Sequence, residues 1–367
     1  LPANMRASIN AAPKPDPERV RTLASEFMAA NGFMEMMNNS LTKSDYYANL
    51  KTYPQEKCVM VVNPLSSDLN CMRQTLLLNG LEVIAYNINR QQNDLKLYEY
   101  GNVYSFNPDF KAPEFDASNP EEALAHRGDA LKAYSEEPKF SLFITGNGYQ
   151  GWRNRTVGGN FFALKGYLEL LLSKFGITLA NLEYEAAPSD LVLAKNIVKM
   201  LQLTEDCVDN DLYLNANGDK NGMNGGKEIA VMGTISKARL KQFGIKQPVF
   251  AAEISWNVLL KAVKKNKVQY SELPKFPEVK RDLALLLDEN VSFAELRKSA
   301  LSTEKKLLKS VTLFDVYKGD KIPQGKKQYA LSFVMQDTEK TLNDKAVESV
   351  MNKLLGAFQH KHGATLR

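Results

Sequence analysis

The chain has 367 residues, 44% of them hydrophobic and 24% charged, and carries 47 Lys and Arg against 42 Asp and Glu, a net charge of +5. This length accommodates roughly two to three domains with ample cores, and no apolar run approaches the ~18 residues a membrane-spanning helix needs, because LALLL and YLELLL are broken by charge within a few positions. Three cysteines (Cys58, Cys71, Cys207) without a CxxC, and three histidines (His126, His360, His362) outside any ligand spacing with them, argue against a Cys/His metal site and fit a soluble protein of the reducing cytoplasm.

The first residue is Leu1, followed by neither a charged segment nor the apolar stretch of a secretory leader, so the chain reads as a piece of something longer. Residues 1–15, rich in Ala, Pro and Asn, look like a linker. At Asp16-Pro17-Glu18 a helix opens with an N-cap, a proline at its first position and an acid in its first turn, and Val20, Leu23, Ala24, Phe27 and Met28 keep helical spacing up to Gly32. Its apolar face belongs either to the core of its own domain or to a partner. Strand-like runs follow at 57–62 (KCVMVV) and 96–106 (KLYEYGNVYSF), around a helix over 69–90. The stretches 139–145, 159–177, 227–236 and 248–254 continue a mixed pattern. Strands and helices alternate irregularly, without the βαβα beat of a parallel fold, so an antiparallel α+β architecture is expected.

From Pro274 the pattern sharpens. A strand over 279–288 precedes a helix opened by Ser292 with Glu295 three residues on, a capping box. Two strands joined by a Gly/Pro/Lys turn then occupy 310–333, and a helix follows with Val347, Val350, Met351, Leu354, Leu355 and Phe358 on one face. A short strand ends the chain near 363–367. This β-α-β-β-α-β order is the ferredoxin-like arrangement, in which both helices cover one face of a four-stranded antiparallel sheet and the other face is bare. In the central hairpin, Phe314, Val316, Tyr329, Leu331 and Phe333 call for a core, so Asp315, Tyr317, Gln328, Ala330 and Ser332 should share the bare face. The last 94 residues hold 17 Lys and Arg against 12 Asp and Glu, whereas residues 1–273 balance at 30 against 30. Such a local basic surplus suits a nucleic-acid contact, or else is simply a solvated lysine-rich surface.

Two motifs could mislead. Gly146-Asn-Gly148-Tyr-Gln-Gly151 matches GxGxxG after a strand-like run, but the mechanism needs a helix opening at the third glycine, and the next helix begins only near Asn160; a glycine-rich turn is the simpler reading. The stretch from Asn217 to Glu228 nearly fits a calcium loop but has Asn at the first ligand position and strand-like flanks, as a flexible hairpin loop would. No Ser/His/Asp or Cys/His triad can be assembled from three histidines. A pair of catalytic carboxylates stays open, because sequence spacing says nothing about their separation in space.

The segments NPLSSDLNCMRQTLL (63–77), NINR (87–90), KLYEYGNVY (96–104), GNFFALKGYLELLL (159–172), PKFPEVKRDLALLLD, LFDVYKG and the final helix and strand occur in the order of the C-terminal half of the bacterial phenylalanyl-tRNA synthetase β subunit, which the chain resembles over essentially its whole length. The resemblance implies that 16–270 is a class II synthetase-like antiparallel sheet with helices that has lost the chemistry, and that 274–367 is a ferredoxin-fold anticodon-binding domain. No Arg-x-Glu strand and no late glycine-rich strand ending in Arg, the groups that hold ATP in a class II site, are found. It also implies a catalytic α subunit as partner in an (αβ)2 assembly, with ATP and magnesium acting in the intact enzyme and no cofactor in this piece. The editing domain and the magnesium-linked acidic motif of the family would lie upstream of Leu1.

The family reads the first anticodon base, a guanine, on the sheet face, and its matching positions here are Ala284, Asp315, Tyr317 and Gln328. Gln328 departs from the small hydroxyl residue usual there, and Thr234-Ile-Ser-Lys237 departs from a Leu-His-Pro-like turn. A carboxylate accepts from the donor edge of guanine, a tyrosine ring stacks a splayed base, and Lys318, Lys321, Lys326 and Lys327 are expected to meet phosphates. The rival readings are an interaction scaffold without RNA and a nucleotide-binding oxidoreductase built on Gly146–Gly151.

Overall fold

The computed structural model describes residues 14–111, 129–147, 158–177, 183–186, 212–215, 228–265, 270, 272–319 and 322–366. The chain divides into two compact units, which part near residue 269.

The first unit opens with α1 (Pro17–Ala30), whose Asp16 cap accepts from the Glu18 amide at 3.1 Å. Val20, Ala24 and Met28 bury one stripe of this helix, while Leu23 stays 46% exposed. Short strands β1 (Met34–Glu35), β2 (Leu41–Thr42), β3 (Val59–Met60) and β4 (Cys71–Met72) follow, with β2, β4 and β3 forming a small sheet. The apolar run at 57–62 therefore yields only a two-residue strand: β4 offers pairing for two positions, and Val62 is left 92% exposed. Next come α2 (Leu77–Ile88), β5 (Leu95–Phe106), β6 (Tyr134–Thr145), α3 (Phe161–Lys174), β7 (Glu183–Ala186), β8 (Leu212–Asn215), β9 (Glu228–Thr234), α4 (Lys237–Gln242), β10 (Val249–Ser255) and α5 (Trp256–Lys265). The helix foreseen over 69–90 is shorter because 71–76 is spoken for by the sheets: Cys71 and Met72 form β4, the Arg73 Nε donates to the Asn102 carbonyl, and the Leu76 amide donates to Glu253.

Seven strands form one sheet in the order β1-β5-β6-β10-β9-β8-β7, antiparallel throughout except at the β1–β5 edge. Leu77, Leu78, Leu81 and Ile84 of α2 pack on Leu95, Leu97, Phe143 and Ala251 of this sheet. The approach is close enough that a Cβ at Gly80 would meet the Phe143 ring at 2.2 Å. Phe140, three residues from Phe143 and so on the opposite face, stacks with Tyr100 at 4.4 Å, with Trp256 of α5 edge-on to Tyr100 at 5.0 Å.

The second unit is built from β11 (Val279–Asp288), α6 (Phe293–Thr303), β12 (Leu308–Tyr317), β13 (Lys326–Met335), α7 (Asp344–His362) and β14 (Thr365–Leu366). The Ser292–Glu295 capping box is present in full. Asn343 caps the start of α7, and Gly363, at φ +60°, takes the left-handed turn that ends it. The sheet order β12-β13-β11-β14, all antiparallel, is the ferredoxin-like topology. Leu285, Leu287, Tyr329, Leu331 and Phe333 from the sheet bury against Leu296 and Ala300 of α6 and Val347, Val350, Leu354 and Phe358 of α7, so both helices lie on one face.

Candidate nucleic-acid interface

Cross-strand register gives the other face residue by residue, because directly opposed residues in an antiparallel pair share a side. Tyr329 and Leu331 point to the helices; Gln328, Ala330 and Ser332 between them point away. Three rows result. Leu286, Gln328 and Tyr317 are opposed across β11, β13 and β12; Ala284, Ala330 and Asp315 form the next row; Asp282, Ser332 and Thr312 form the third. Among the described residues of this unit, both helices lie on the opposite side of the sheet. Asp315 is exposed and Tyr317 is 40% exposed.

Strict alternation along β12 would not deliver this. Val311 and Leu313 oppose Phe333 and Leu331 on the helix side, so Asp315 and Tyr317 would follow them inward. A β-bulge intervenes: Leu313 pairs with Leu331 and Asp315 with the adjacent Ala330, which leaves Phe314 unpaired between them. One extra residue shifts the phase by one, sending Asp315 and Tyr317 outward and Val316 inward. Phe314, expected in the core, is instead 58% exposed. It was misplaced because its composition signals burial and nothing in its neighbours signals the bulge.

The basic residues are less available than expected. Lys318 Nζ lies 2.6 Å from Glu289 Oε1, and the hydrogen bond and charge of Lys318 hold the Glu289 carboxyl below its ordinary range. Lys326 sits 3.6 Å from Asp288. Lys327 does not reach the open face at all: it opposes Leu287 on the helix side, is 2% exposed, and places its ammonium 4.6 Å from the centre of the Tyr329 ring. The same alternation that turns Gln328 out turns Lys327 in, so the phosphate role expected for it does not fit this geometry. Lys321 lies outside the described residues. Ala284 and Gln328 are half-buried on the open face, where the register requires them.

Sequence reasoning missed Phe314, and also Lys280 and Lys309. Lys280 is exposed and shares the face of Ala284, which its even spacing within β11 could have disclosed. Lys309 occupies a second irregularity, between Leu308 and Ser310, that nothing in the sequence marks.

Of the motifs set aside earlier, Gly146 and Asn147 follow the end of β6, and Gly148–Gly151 lie outside the described residues; the next described helix, α3, starts at Phe161, capped by Asn160. The Asn217–Glu228 loop is likewise outside them up to the first residue of β9. Ser236, in the stretch that departs from the Leu-His-Pro-like turn, caps α4 by accepting from the Arg239 amide. Among the described residues no group of three His, Cys, Asp or Glu side chains could hold a metal ion, and no helix is long and apolar enough to cross a membrane.

The fold and this face define a class: a two-unit α+β chain whose second unit is a ferredoxin-like module with a polar and aromatic sheet surface. Residues 2–256 match the family model of the phenylalanyl tRNA synthetase beta chain CLM domain, and residues 274–367 match that of the ferredoxin-fold anticodon binding domain. The chain belongs to the phenylalanyl-tRNA synthetase β-chain family. It is 40% identical over 369 residues to the phenylalanine–tRNA ligase beta subunit of Bacteroides fragilis, covering 100% of this chain and 40% of that protein. Against the beta subunit of Porphyromonas gingivalis it is 39% identical, covering 95% and 38% of the two chains, and against that of Geobacillus kaustophilus 29%, covering 95% and 37%. The chain thus spans about two-fifths of the length of the curated relatives it matches.

Proposed function

We propose that this chain is the non-catalytic carboxy-terminal part of a phenylalanine–tRNA ligase β subunit, scaffolding the catalytic α subunit and gripping the anticodon of the phenylalanine tRNA in the cytoplasm. In the intact (αβ)2 enzyme, ATP with magnesium drives attachment of phenylalanine to that tRNA. This part alone neither aminoacylates nor binds the cofactors.

The observation that carries the reading is the exposure of Asp315 and Tyr317 side by side on the sheet face opposite both helices. A carboxylate and a ring in adjacent rows, about 7 Å apart along the strand, suit the donor edge and the flat face of one splayed guanine. Lys318 and Lys326, held to carboxylates in the free chain, would exchange those partners for phosphate oxygens.

The test is binding of the phenylalanine tRNA by the full chain at two salt concentrations, for wild type and Tyr317→Ala. The reading expects affinity that falls as salt rises and a weaker variant. Equal affinity of the two proteins at both concentrations would sink the anticodon assignment, and failure to copurify with the α subunit would sink the scaffold.

A further inference from the structure

Two cysteines, Cys58 and Cys71, meet in the core of the first unit. Met60 of β3 opposes Cys71 of β4, and Cys58 lies in extended backbone two residues before Met60, so both thiols stand on one side of the small sheet as diagonal neighbours. Both are unbridged and buried in the same apolar cluster, at 4% and 0% exposure. Their surroundings are polar in a directed way. Gln74, itself buried, donates through its side-chain nitrogen to the Pro54 carbonyl and to the Cys58 sulfur, each at 3.0 Å, while its amide donates to the Tyr47 hydroxyl. The Cys71 S–H has two acceptors in reach, the Thr42 carbonyl at 3.5 Å and the Cys58 sulfur. Cys58 thus receives two donors, which favour its thiolate. The hydrogen bond from Cys71 is the main cause that holds the Cys58 thiol below its ordinary range; burial opposes it and Gln74 adds to it, and the same sulfur–sulfur bond, with burial, pushes Cys71 up.

We propose that Cys58 and Cys71 form a reversible disulfide in response to peroxide, with Cys58 as the sulfur first oxidised and Cys71 as the one that resolves it. The Cys58 thiolate attacks one peroxide oxygen; an S–O bond forms as the O–O bond breaks, and the departing hydroxide takes up the proton lost by the Cys58 thiol and leaves as water. The Cys71 sulfur then attacks the resulting sulfenic acid at sulfur; the S–S bond forms, the S–O bond breaks, and the hydroxide released takes the Cys71 proton. Two thiols and one peroxide become one disulfide and two waters, two electrons passing from sulfur to oxygen, and a dithiol reductant returns them by exchange. Peroxide is little larger than water and the cover is thin. β3 is an edge strand joined to β4 by two residue pairs, and residues 62–68 beyond it are exposed, so a local opening admits the oxidant. A buried cysteine often serves only as a small apolar filler; the amide donor aimed at the Cys58 sulfur and the contact of sulfur with sulfur set this pair apart. The bond would close a ring around residues 59–70 and tie β3 to β4, stiffening the loop that presents Val62 and Leu65 to solvent.

The experiment uses the full chain, because cleavage after Lys57 and Arg73 releases both cysteines in one tryptic peptide, 58–73. Reduced, folded protein is treated with hydrogen peroxide, then unfolded and alkylated with iodoacetamide, and the peptide is weighed. It should be two hydrogens lighter than the free dithiol and have lost both alkylation sites, and dithiothreitol should restore both. In Cys71→Ser, Cys58 should persist as a sulfenic acid that dimedone traps; in Cys58→Ser, Cys71 should stay open to alkylation. The Val61 amide, which donates to the Asn70 carbonyl at 2.9 Å, should exchange its hydrogen several-fold more slowly in the oxidised chain. The proposal is overturned if the wild-type peptide keeps both alkylation sites at a peroxide dose that converts its Met60 or Met72 to the sulfoxide, or if either cysteine pairs with Cys207 instead. These masses decide the pairing even should a serine variant misfold. Trapping at Cys71 in Cys58→Ser, with none at Cys58 in Cys71→Ser, would overturn the assignment of roles, and unchanged exchange at Val61 would overturn the stiffening.

Discussion

Arg73 and Glu99 form an ion pair sealed from water in the first unit: Nη1 and Oε1 are 2.7 Å apart, with the side chains 3% and 1% exposed. Asn38 donates to Glu99 through both its backbone and side-chain nitrogens, and the Arg73 Nε donates to the Asn102 carbonyl. In the same row of the sheet, two strands away beyond Ser141, the buried Glu253 accepts from Thr75, from the Leu76 amide and from Tyr53. Two carboxylates that a sequence reader could suspect of acid–base work are thus saturated by structural donors. Removing one partner of a sealed pair strands the other's charge, so Arg73→Met is expected to destabilise the first unit by about 3–5 kcal/mol. The double variant Arg73→Met/Glu99→Gln should recover much of that loss. Urea unfolding of the three proteins checks it; a single variant as stable as wild type would contradict the account.

Gly319 keeps Tyr317 in place. A Cβ there would come within 2.5 Å of the Tyr317 hydroxyl and 2.7 Å of its ring. Gly319→Ala therefore displaces the ring while leaving the core untouched. The expected outcome is an RNA affinity lowered several-fold towards that of Tyr317→Ala, with an unchanged melting temperature. A variant that binds like wild type would show that the ring position is irrelevant.

On the proposed reading, Asp315 sets which base is accepted. A carboxylate takes two hydrogen bonds from the donor edge of guanine, whereas an amide can accept only through its oxygen. Asp315→Asn should reduce the preference for guanine over adenine at the first anticodon position by about tenfold. Competition binding with RNA hairpins carrying guanine or adenine at that position reads this directly, and an unchanged preference would remove Asp315 from the readout.

Glu304 ties the end of α6 to α7. Its carboxylate accepts from Lys353 Nζ at 3.1 Å and from the Lys306 and Leu307 amides at 3.1 and 3.3 Å. Burial pushes this carboxyl upward, but the Lys353 and amide hydrogen bonds together outweigh it and hold it below its ordinary value. A depressed folded-state pKa gives stability that is complete above the unfolded value of about 4.3 and lost as pH falls through the folded one. Glu304→Gln should thus melt lower than wild type at pH 7, by on the order of 1 kcal/mol, and the two curves should converge towards pH 3. A constant gap between them would refute the linkage.

Much of the architecture could be read in advance wherever one local rule acted alone. Asp16 with Pro17, and Ser292 with Glu295, mark helix starts that the structure keeps, and the run 279–288 becomes β11 with the same bounds. Reading failed where two rules competed or where a partner was needed. KCVMVV has strand composition but a neighbour for only two residues. Lys327 has the chemistry of a phosphate ligand, yet its parity along β13 is fixed by Tyr329 and Leu331, which must face the helices. Phe314 illustrates the deepest limit, since a bulge is a property of two strands together and a single strand's periodicity cannot announce it.

That irregularity makes β12 intolerant of changes in its own length. Beyond Gly319, the connection to Lys326 could gain or lose residues with little effect on what the sheet displays, for a turn adjusts without rotating its stems. A single residue inserted into or deleted from the strand would instead exchange its inner and outer sets, hiding the acid and the tyrosine under the helices and thrusting valine into water. On the proposed reading, recognition in this module is therefore stored partly as a count, and drift in that count would erase it with every one of the proposed contact side chains still encoded.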